Sequence, residues 1–304
     1  METSVSSSVK GIMMISRRVA VAHVCLLELG LLGALLPALP VSAQQPPAPA
    51  TTTKTSAADK IAVPFSDPSR PGMLRVGLIS GSIHVTGYQG KEVLIEAVTA
   101  ENEDRAEAGR QGLRRIPNTT SGLVVEEERN EMRVSSSIPH RTIALTIQVP
   151  IRTSLNLSTV NNGDIVIERV DGDMEVNNTN GAVTLSEVSG TVVAHALNAD
   201  VTASFVRLSG KPMSFSSLNG NLDVRLPATV KANLRLETNN GEVYSDFPID
   251  ILAPSFEKTT EDNRSTGGKY RIKIEQAMIG RLNGGGAEIS FKTFNGSIYL
   301  RRAG

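Results

Sequence analysis

Acidic residues recur close behind a repeated turn glycine or its equivalent: Asp164, Asp173, Asp200, Asp223 and Glu242. Carboxylates spaced this way serve two kinds of chemistry. They hold calcium in nonapeptide rolls, where Gly-Gly-x-Gly-x-Asp supplies several glycines that let carbonyls converge on the ion. Here each turn has a single glycine slot with the acid close behind it, so the motif does not match. Carboxylates also cleave glycans when two of them flank a sugar in a groove, often beside basic and aromatic groups. Asp200, Asp223 and Arg225 are the local set from which such a site would be built. The ordinary alternative is that these acids are polar, outward-facing turn and strand residues.

Other catalytic arrangements are missing from the sequence. His84, His140 and His195 are scattered and form no H-E-x-x-H pair. There is no G-x-S-x-G elbow. Gly267–Lys269 lacks the upstream glycine of a phosphate loop. The only cysteine, Cys25, falls in the N-terminal apolar run, which leaves the rest of the chain without disulfides, thiolate nucleophiles or cysteine–zinc sites. We therefore assign no catalytic residue, metal or cofactor from sequence, and expect a protein that is not an enzyme. There is no tryptophan, and only four tyrosines and seven phenylalanines. Phe205, Phe215, Phe291 and Phe294 read as core or end-cap packing. Tyr244 and Tyr299 alternate with Val243 and Ile298, so they are candidates for surface contacts together with Asp200, Asp223 and Arg225.

The elements that position these residues form a repeat between Thr159 and Leu226. Gly163, Gly172, Gly181 and Gly190 lie nine residues apart; Ala199 takes the next slot, and Gly210 and Gly220 follow. After most turns comes an alternating run such as Ile165/Ile167, Val183/Leu185 or Leu222/Val224, which puts one set of side chains on one face of a strand. The turns are of two kinds. Asn precedes the slot at Asn162, Asn180, Asn198, Asn219, Asn240 and Asn295, whereas Asp171, Ser189 and Ser209 precede it in the others. Two alternating turn types imply a coil of two strands and two turns, about 18–21 residues long. The expected fold is all-β: a β-solenoid-like stack in which like turns stack and an Asn ladder adds bonding. An antiparallel β-meander or sandwich is the alternative, because Asn-Gly is also a hairpin signal. The structural turn residues are Asn162, Gly163, Gly172, Asn180, Gly181, Gly190, Asn198, Gly210, Asn219, Gly220, Asn240, Gly241, Asn295 and Gly296. Glycine is expected at them because it accepts positive φ.

Arg17 and Arg18, the apolar run Val19–Leu39 and the small residues Val41–Ala43 read as a signal peptide over 1–43. The run is interrupted by Glu28, Pro37 and Pro40, which argues against an uncleaved anchor. Residues 44–60 form a disordered Pro/Ala/Thr linker. Residues 61–304 read as a single β-repeat domain, with N-terminal strands and cap in 61–150, regular repeats in 151–304 and a mobile loop at 253–268. The whole chain has 31 basic and 31 acidic residues. Without residues 1–43 it keeps 28 basic and 29 acidic residues, a balance that points away from nucleic acid. The end strands invite self-association, with Arg301 and Arg302 placed to guard the last edge.

The series Val149-Pro150, Asn162-Gly163-Asp164-Ile165, Val170-Asp171-Gly172-Asp173, Thr179-Asn180-Gly181, Val188-Ser189-Gly190, Ser217-Leu218-Asn219-Gly220 and Phe294-Asn295-Gly296-Ser297-Ile298 resembles a bacterial β-strand-repeat family, a domain of unknown function called "putative adhesin". The resemblance covers about residues 70 to 304. It implies an exported repetitive β-fold that is periplasmic, on the cell surface or secreted, and brings no catalytic residues. The expected function is a non-catalytic envelope or surface protein that binds or scaffolds a protein or polysaccharide partner, with no transmembrane span after signal cleavage. Two alternatives stand beside it: an exported glycan lyase or hydrolase on a β-helix, and an envelope-stress sensory or regulatory protein.

Overall fold

A computed structural model describes residues 58–99, 121–139, 141–161, 163–252, 255–262 and 270–303. The chain divides into two units, Met1–Thr52 and Thr53–Gly304, and all described residues lie in the second. The signal peptide, most of the linker and Asn162 lie outside the described residues.

The described residues form 21 strands and no helix. The first seven are β1 (Ala58–Pro64), β2 (Gly72–Ser80), β3 (Ile83–Tyr88), β4 (Glu92–Thr99), β5 (Leu123–Glu128), β6 (Glu131–Ser136) and β7 (Ile143–Pro150). The regular region holds β8 (Thr153–Asn161), β9 (Ile165–Glu168), β10 (Asp171–Asn178), β11 (Val183–Ala196), β12 (Val201–Leu208), β13 (Met213–Ser217) and β14 (Leu222–Leu226). The last group is β15 (Ala232–Thr238), β16 (Val243–Ser245), β17 (Asp250–Ile251), β18 (Ser255–Asp262), β19 (Tyr270–Leu282), β20 (Ala287–Thr293) and β21 (Ile298–Arg302).

Strand pairing defines a β-solenoid with two faces. One face runs β5–β6–β2–β8–β10–β11–β13–β20–β15–β19. The other runs β1–β4–β7–β3–β9–β11–β12–β14–β21–β16. Every pairing from β6 to β15 and from β7 to β16 is parallel, which a meander of hairpins does not produce. Antiparallel strands occur only towards the ends, as β1, β4 and β5 at one and β17–β19 at the other. β11 bends through the corner between faces with an irregularity between Leu185 and Ser189.

Stacking order is not chain order. The coil β2–β3 lies between β6–β7 and β8–β9. The coil β20–β21 lies between β13–β14 and β15–β16. Arg301 and Arg302 therefore do not guard an edge: their strand is internal, and β16 is the outer strand of that face. Residues 255–262, expected within a mobile loop, instead form β18, paired along its length with β19. The local polarity that reads as loop is compatible with a hairpin because the backbone pairing itself supplies the order.

The core follows from alternation. Leu74, Leu155, Met174, Val192, Met213, Ile289 and Leu234 share one inward row, and all are buried. Small residues sit where large ones need room. Ala194 is level with Phe215, which stacks on Phe291 at 5.3 Å and meets Phe205 edge-on at 6.0 Å. Phe294, expected to pack in the core or an end cap, is 46% exposed. Thr293 takes the inward position before it, so parity turns Phe294 outward.

The Asn-bearing turns carry three parallel sets of bonds. First, the Asn side chains form a ladder: Nδ2 of Asn180, Asn198, Asn219, Asn295 and Asn240 donate to Oδ1 of Asn161, Asn180, Asn198, Asn219 and Asn295 respectively, at 2.8–3.1 Å. At the first turn the ladder residue is Asn161 rather than Asn162. Thr159 is level with Asn178 and Ile165 with Val183, so that turn holds one extra residue. Second, inward hydroxyls and one amide reach the turn carbonyl of the neighbouring coil: Thr159 to Gly81, Asn178 to Gly163, Ser217 to Ala199, Thr293 to Gly220 and Thr238 to Gly296. Third, the residue after the glycine slot accepts a backbone N–H from the next coil, as Asp164 does from Ala182 at 2.8 Å.

Glycine is required here for a reason other than the expected one. Of the turn glycines singled out from sequence, only Gly190 and Gly210 have clearly positive φ. At Gly181 and Gly296 the need is closeness: a Cβ would lie 2.0 Å from the Gly163 oxygen and 2.1 Å from the Gly220 oxygen. Gly190 and Gly210 belong to the other turn column, where left-handed positions also fall on Arg169 (φ 54°) and Glu187 (φ 55°).

Two stability outcomes follow. Phe215→Ala is expected to cost about 3–5 kcal/mol in urea unfolding, through lost burial and the cavity left behind. Asn198→Ala removes two exposed ladder bonds and should cost only about 1–2 kcal/mol, whereas Gly181→Ala must push two backbones apart and should cost more than Asn198→Ala. The reverse order would show that turn spacing is set by the side-chain ladder and not by backbone contact.

Candidate binding surface

Four of the five surface candidates meet on one face. β14, β21 and β16 are adjacent and parallel, with Leu222, Val224, Ile298 and Leu300 turned into the core. Alternation therefore turns Asp223, Tyr299 and Tyr244 outward. Register sets them in one row, with Arg225 level with Arg301 beside it. Parallel strands bring such rows to about 4.8 Å spacing, the distance at which flat rings stack. Tyr244 and Tyr299 do so, with centroids 5.1 Å apart and planes 7° from parallel.

Charges fix the flanks of this pair. Arg301 Nε donates to both carboxylate oxygens of Asp223 at 2.9 Å, and its guanidinium carbon lies 5.4 Å from the Tyr299 ring centroid. The Tyr244 hydroxyl donates to Glu242 Oε2 at 2.6 Å. That hydrogen bond, with the carboxylate charge, holds the Tyr244 phenol above the ordinary tyrosine value. Arg225 is exposed and has no ion-pair partner among the described residues. Tyr244 is 48% exposed. One side of its ring is covered by Tyr299, and β16 has no further strand beyond it on this face among the described residues.

Asp200, the fifth candidate, lies elsewhere. It sits at the Asn-bearing turn, where its Oδ1 accepts the Asn221 N–H at 2.7 Å. Asp200 is thus a turn acceptor and Asp223 an ion-pair partner, and Arg225 stands apart from Asp200. In the set read as a possible glycan-cleaving group, both carboxylates are already bonded, Asp200 to a backbone N–H and Asp223 to Arg301. What the patch offers is recognition: an amphipathic aromatic pair, an oriented Arg–Asp pair and an open guanidinium. Sequence reasoning missed Arg301 and Glu242 as members. The Tyr299/Arg301 alternation was visible, but nothing local shows that β21 lies against β16. A second outward row, Ile79, Val160, Leu218 and Phe294, runs beside the Asn ladder, each 42–52% exposed.

With the parallel two-faced stack established, the chain belongs to the Toastrack DUF4097 family, a domain of unknown function, which it matches over residues 78–277. No curated protein matches it. It is similar to the crystal structure of a "putative cell adhesion protein" from Clostridium sporogenes ATCC 15579, with 12% identity and a TM-score of 0.43, covering 81% of this chain and 100% of that one. It is also similar to that of a "putative adhesin" from Bacteroides fragilis NCTC 9343, with 10% identity and a TM-score of 0.26, covering 82% and 98%. At such identities and scores the fold assignment rests on the strand pairing and the family match. Among the described residues no helix is long and apolar enough to cross a membrane.

The Tyr244–Glu242 bond has a measurable consequence. Glu242→Gln should bring the Tyr244 ionisation back down towards the ordinary value near 10, seen as one tyrosine titrating earlier in an ultraviolet or NMR titration. An unchanged titration would show that the carboxylate does not control the phenol.

Proposed function

We propose that this chain is an exported protein of the cell envelope or surface that binds or scaffolds a protein or polysaccharide partner without catalysing a reaction. The observation that carries the reading is the outward row Asp223–Tyr299–Tyr244 with Arg225 and Arg301 beside it. Stacked aromatics and arginines are the groups that dominate recognition surfaces, because they offer large rigid area with directional polar ends. The acids that suggest cleavage chemistry have other employment, Asp164 and Asp200 in turns and Asp223 with Arg301. The N-terminal pattern Arg17-Arg18, Val19–Leu39 and Val41–Ala43 supports export. A solenoid suits the role because it sets out extended rows in fixed register.

Co-sedimentation of the protein with peptidoglycan, outer membrane and surface polysaccharide, with reducing sugar measured in the same tubes, tests the proposal. Saturable retention on one fraction without sugar release is expected. A Tyr244→Ala/Tyr299→Ala variant should bind that fraction about tenfold or more weakly, the scale of losing an aromatic anchor. Sugar release would overturn the non-catalytic reading. Absence of retention on every fraction would overturn direct binding to these components.

A further inference from the structure

The turn column opposite the Asn ladder contains a cleft of about 320 Å³, lined among others by Arg152, Ser154, Asp171, Gly172, Asp173 and Arg207. That volume is at the lower end for small-ligand sites. Backbone packs closely on backbone beside it. A Cβ on Gly172 would lie 2.5 Å from the Thr153 oxygen, and one on Gly190 2.1 Å from the Gly172 oxygen.

The walls are held by ion pairs that reach across coils. Arg207 Nη2 donates to Asp171 Oδ2 at 2.7 Å, and Lys211 Nζ to Asp173 Oδ2 at 3.0 Å. Lys211 also holds the Asp173 carboxyl below its ordinary value. These pairs leave a defined set of groups unused. Ser154 Oγ accepts the Asp173 N–H at 3.3 Å, so its hydroxyl proton remains available to donate. Asp171 keeps Oδ1 as an open acceptor. Arg152 is exposed and has neither ion pair nor hydrogen bond among the described residues.

An open guanidinium, an open carboxylate oxygen and a hydroxyl donor specify a ligand with one negative group and several hydroxyls. A bare phosphate can meet Arg152, but it brings nearly two negative charges beside Asp171 and Asp173 where a sugar carboxylate brings one. A neutral sugar satisfies the acceptor and leaves the guanidinium without its charge partner. We propose that this cleft binds a hexuronate unit of an acidic polysaccharide, with the sugar carboxylate on Arg152, one ring hydroxyl donating to Asp171 Oδ1 and another accepting from Ser154. The inference shares with the proposed function only the polysaccharide class of ligand, and it concerns a different surface from the Tyr244–Tyr299 patch.

Calorimetric titration of the full-length protein with galacturonate trimer, a neutral galactose trimer of the same linkage and inorganic phosphate tests it. The uronate trimer is expected to bind, and the neutral trimer at least about tenfold more weakly, the scale of one charge-assisted hydrogen bond. Arg152→Gln should lose uronate binding by a similar factor with an unchanged melting temperature, because Arg152 supports no other group. Tyr244→Ala should leave uronate binding intact, which separates failure of this site from failure of the aromatic patch. Equal binding of both trimers, equal competition by phosphate, or full binding by Arg152→Gln would each overturn the proposal.

Discussion

Backbone-to-backbone contact between successive turns is the constraint on which the molecule depends. Where Gly181 and Gly296 pass a neighbouring coil, the carbonyl beneath leaves no room for a Cβ. That closeness lets strands meet at hydrogen-bonding distance on both faces at once. It also places each Asn side chain within reach of the next, so the ladder from Asn161 to Asn240 is a result of the spacing as well as a support for it. Polar groups in the turns are satisfied by the neighbouring coil, as a buried carbonyl requires. Thr159, Ser217 and Thr293 stay buried with their hydroxyls bonded for that reason, and Asn178 bonds through its Nδ2 while its Oδ1 is buried without a partner.

A stack built from like units has a problem at its ends, where apolar rows and strand edges would be left open. This chain handles it by interleaving. The first coil, β2–β3, and the last, β20–β21, are each inserted between two others, and antiparallel strands are laid beyond them. The chain ends of the repeat are thereby paired on both sides, and separating either of these coils breaks parallel pairing with two neighbours. Phe247, buried after β16 with Arg302 5.2 Å from its ring centroid, covers part of the core at that end.

The same regularity decides what the surface can do. Outward residues come in rows because inward residues come in rows, so a chance pair such as Tyr244 and Tyr299 becomes a stacked unit once its strands are adjacent. Acids close behind the turns are drawn into backbone or ion-pair bonding, Asp164 and Asp200 with backbone N–H groups, Asp173 with Lys211 and Asp223 with Arg301. Arg225 on one face and Arg152 in the opposite turn column are exposed charges without an ion pair among the described residues.

Much of the fold was legible in the residues. Period-two alternation and the two alternating turn types depend on local backbone preference, and they identified strands, turn columns, the coil of two strands and the ladder of Asn side chains. The reason for the glycines was not legible: the expected positive φ occurs at Gly190 and Gly210, while Gly181 and Gly296 answer to a carbonyl that lies far off in sequence. Phe294 was misread because parity beside a turn decides its direction, and residues 255–262 form a strand because pairing with the next strand outweighs local polarity. Sequence determined the unit, since each unit is specified by its own twenty or so residues. Only the tertiary structure decided the order of units, because Asn-Gly turns are chemically alike and any one can stack on any other. That order sets Asn295 between Asn219 and Asn240, and with it brings Tyr299 against Tyr244.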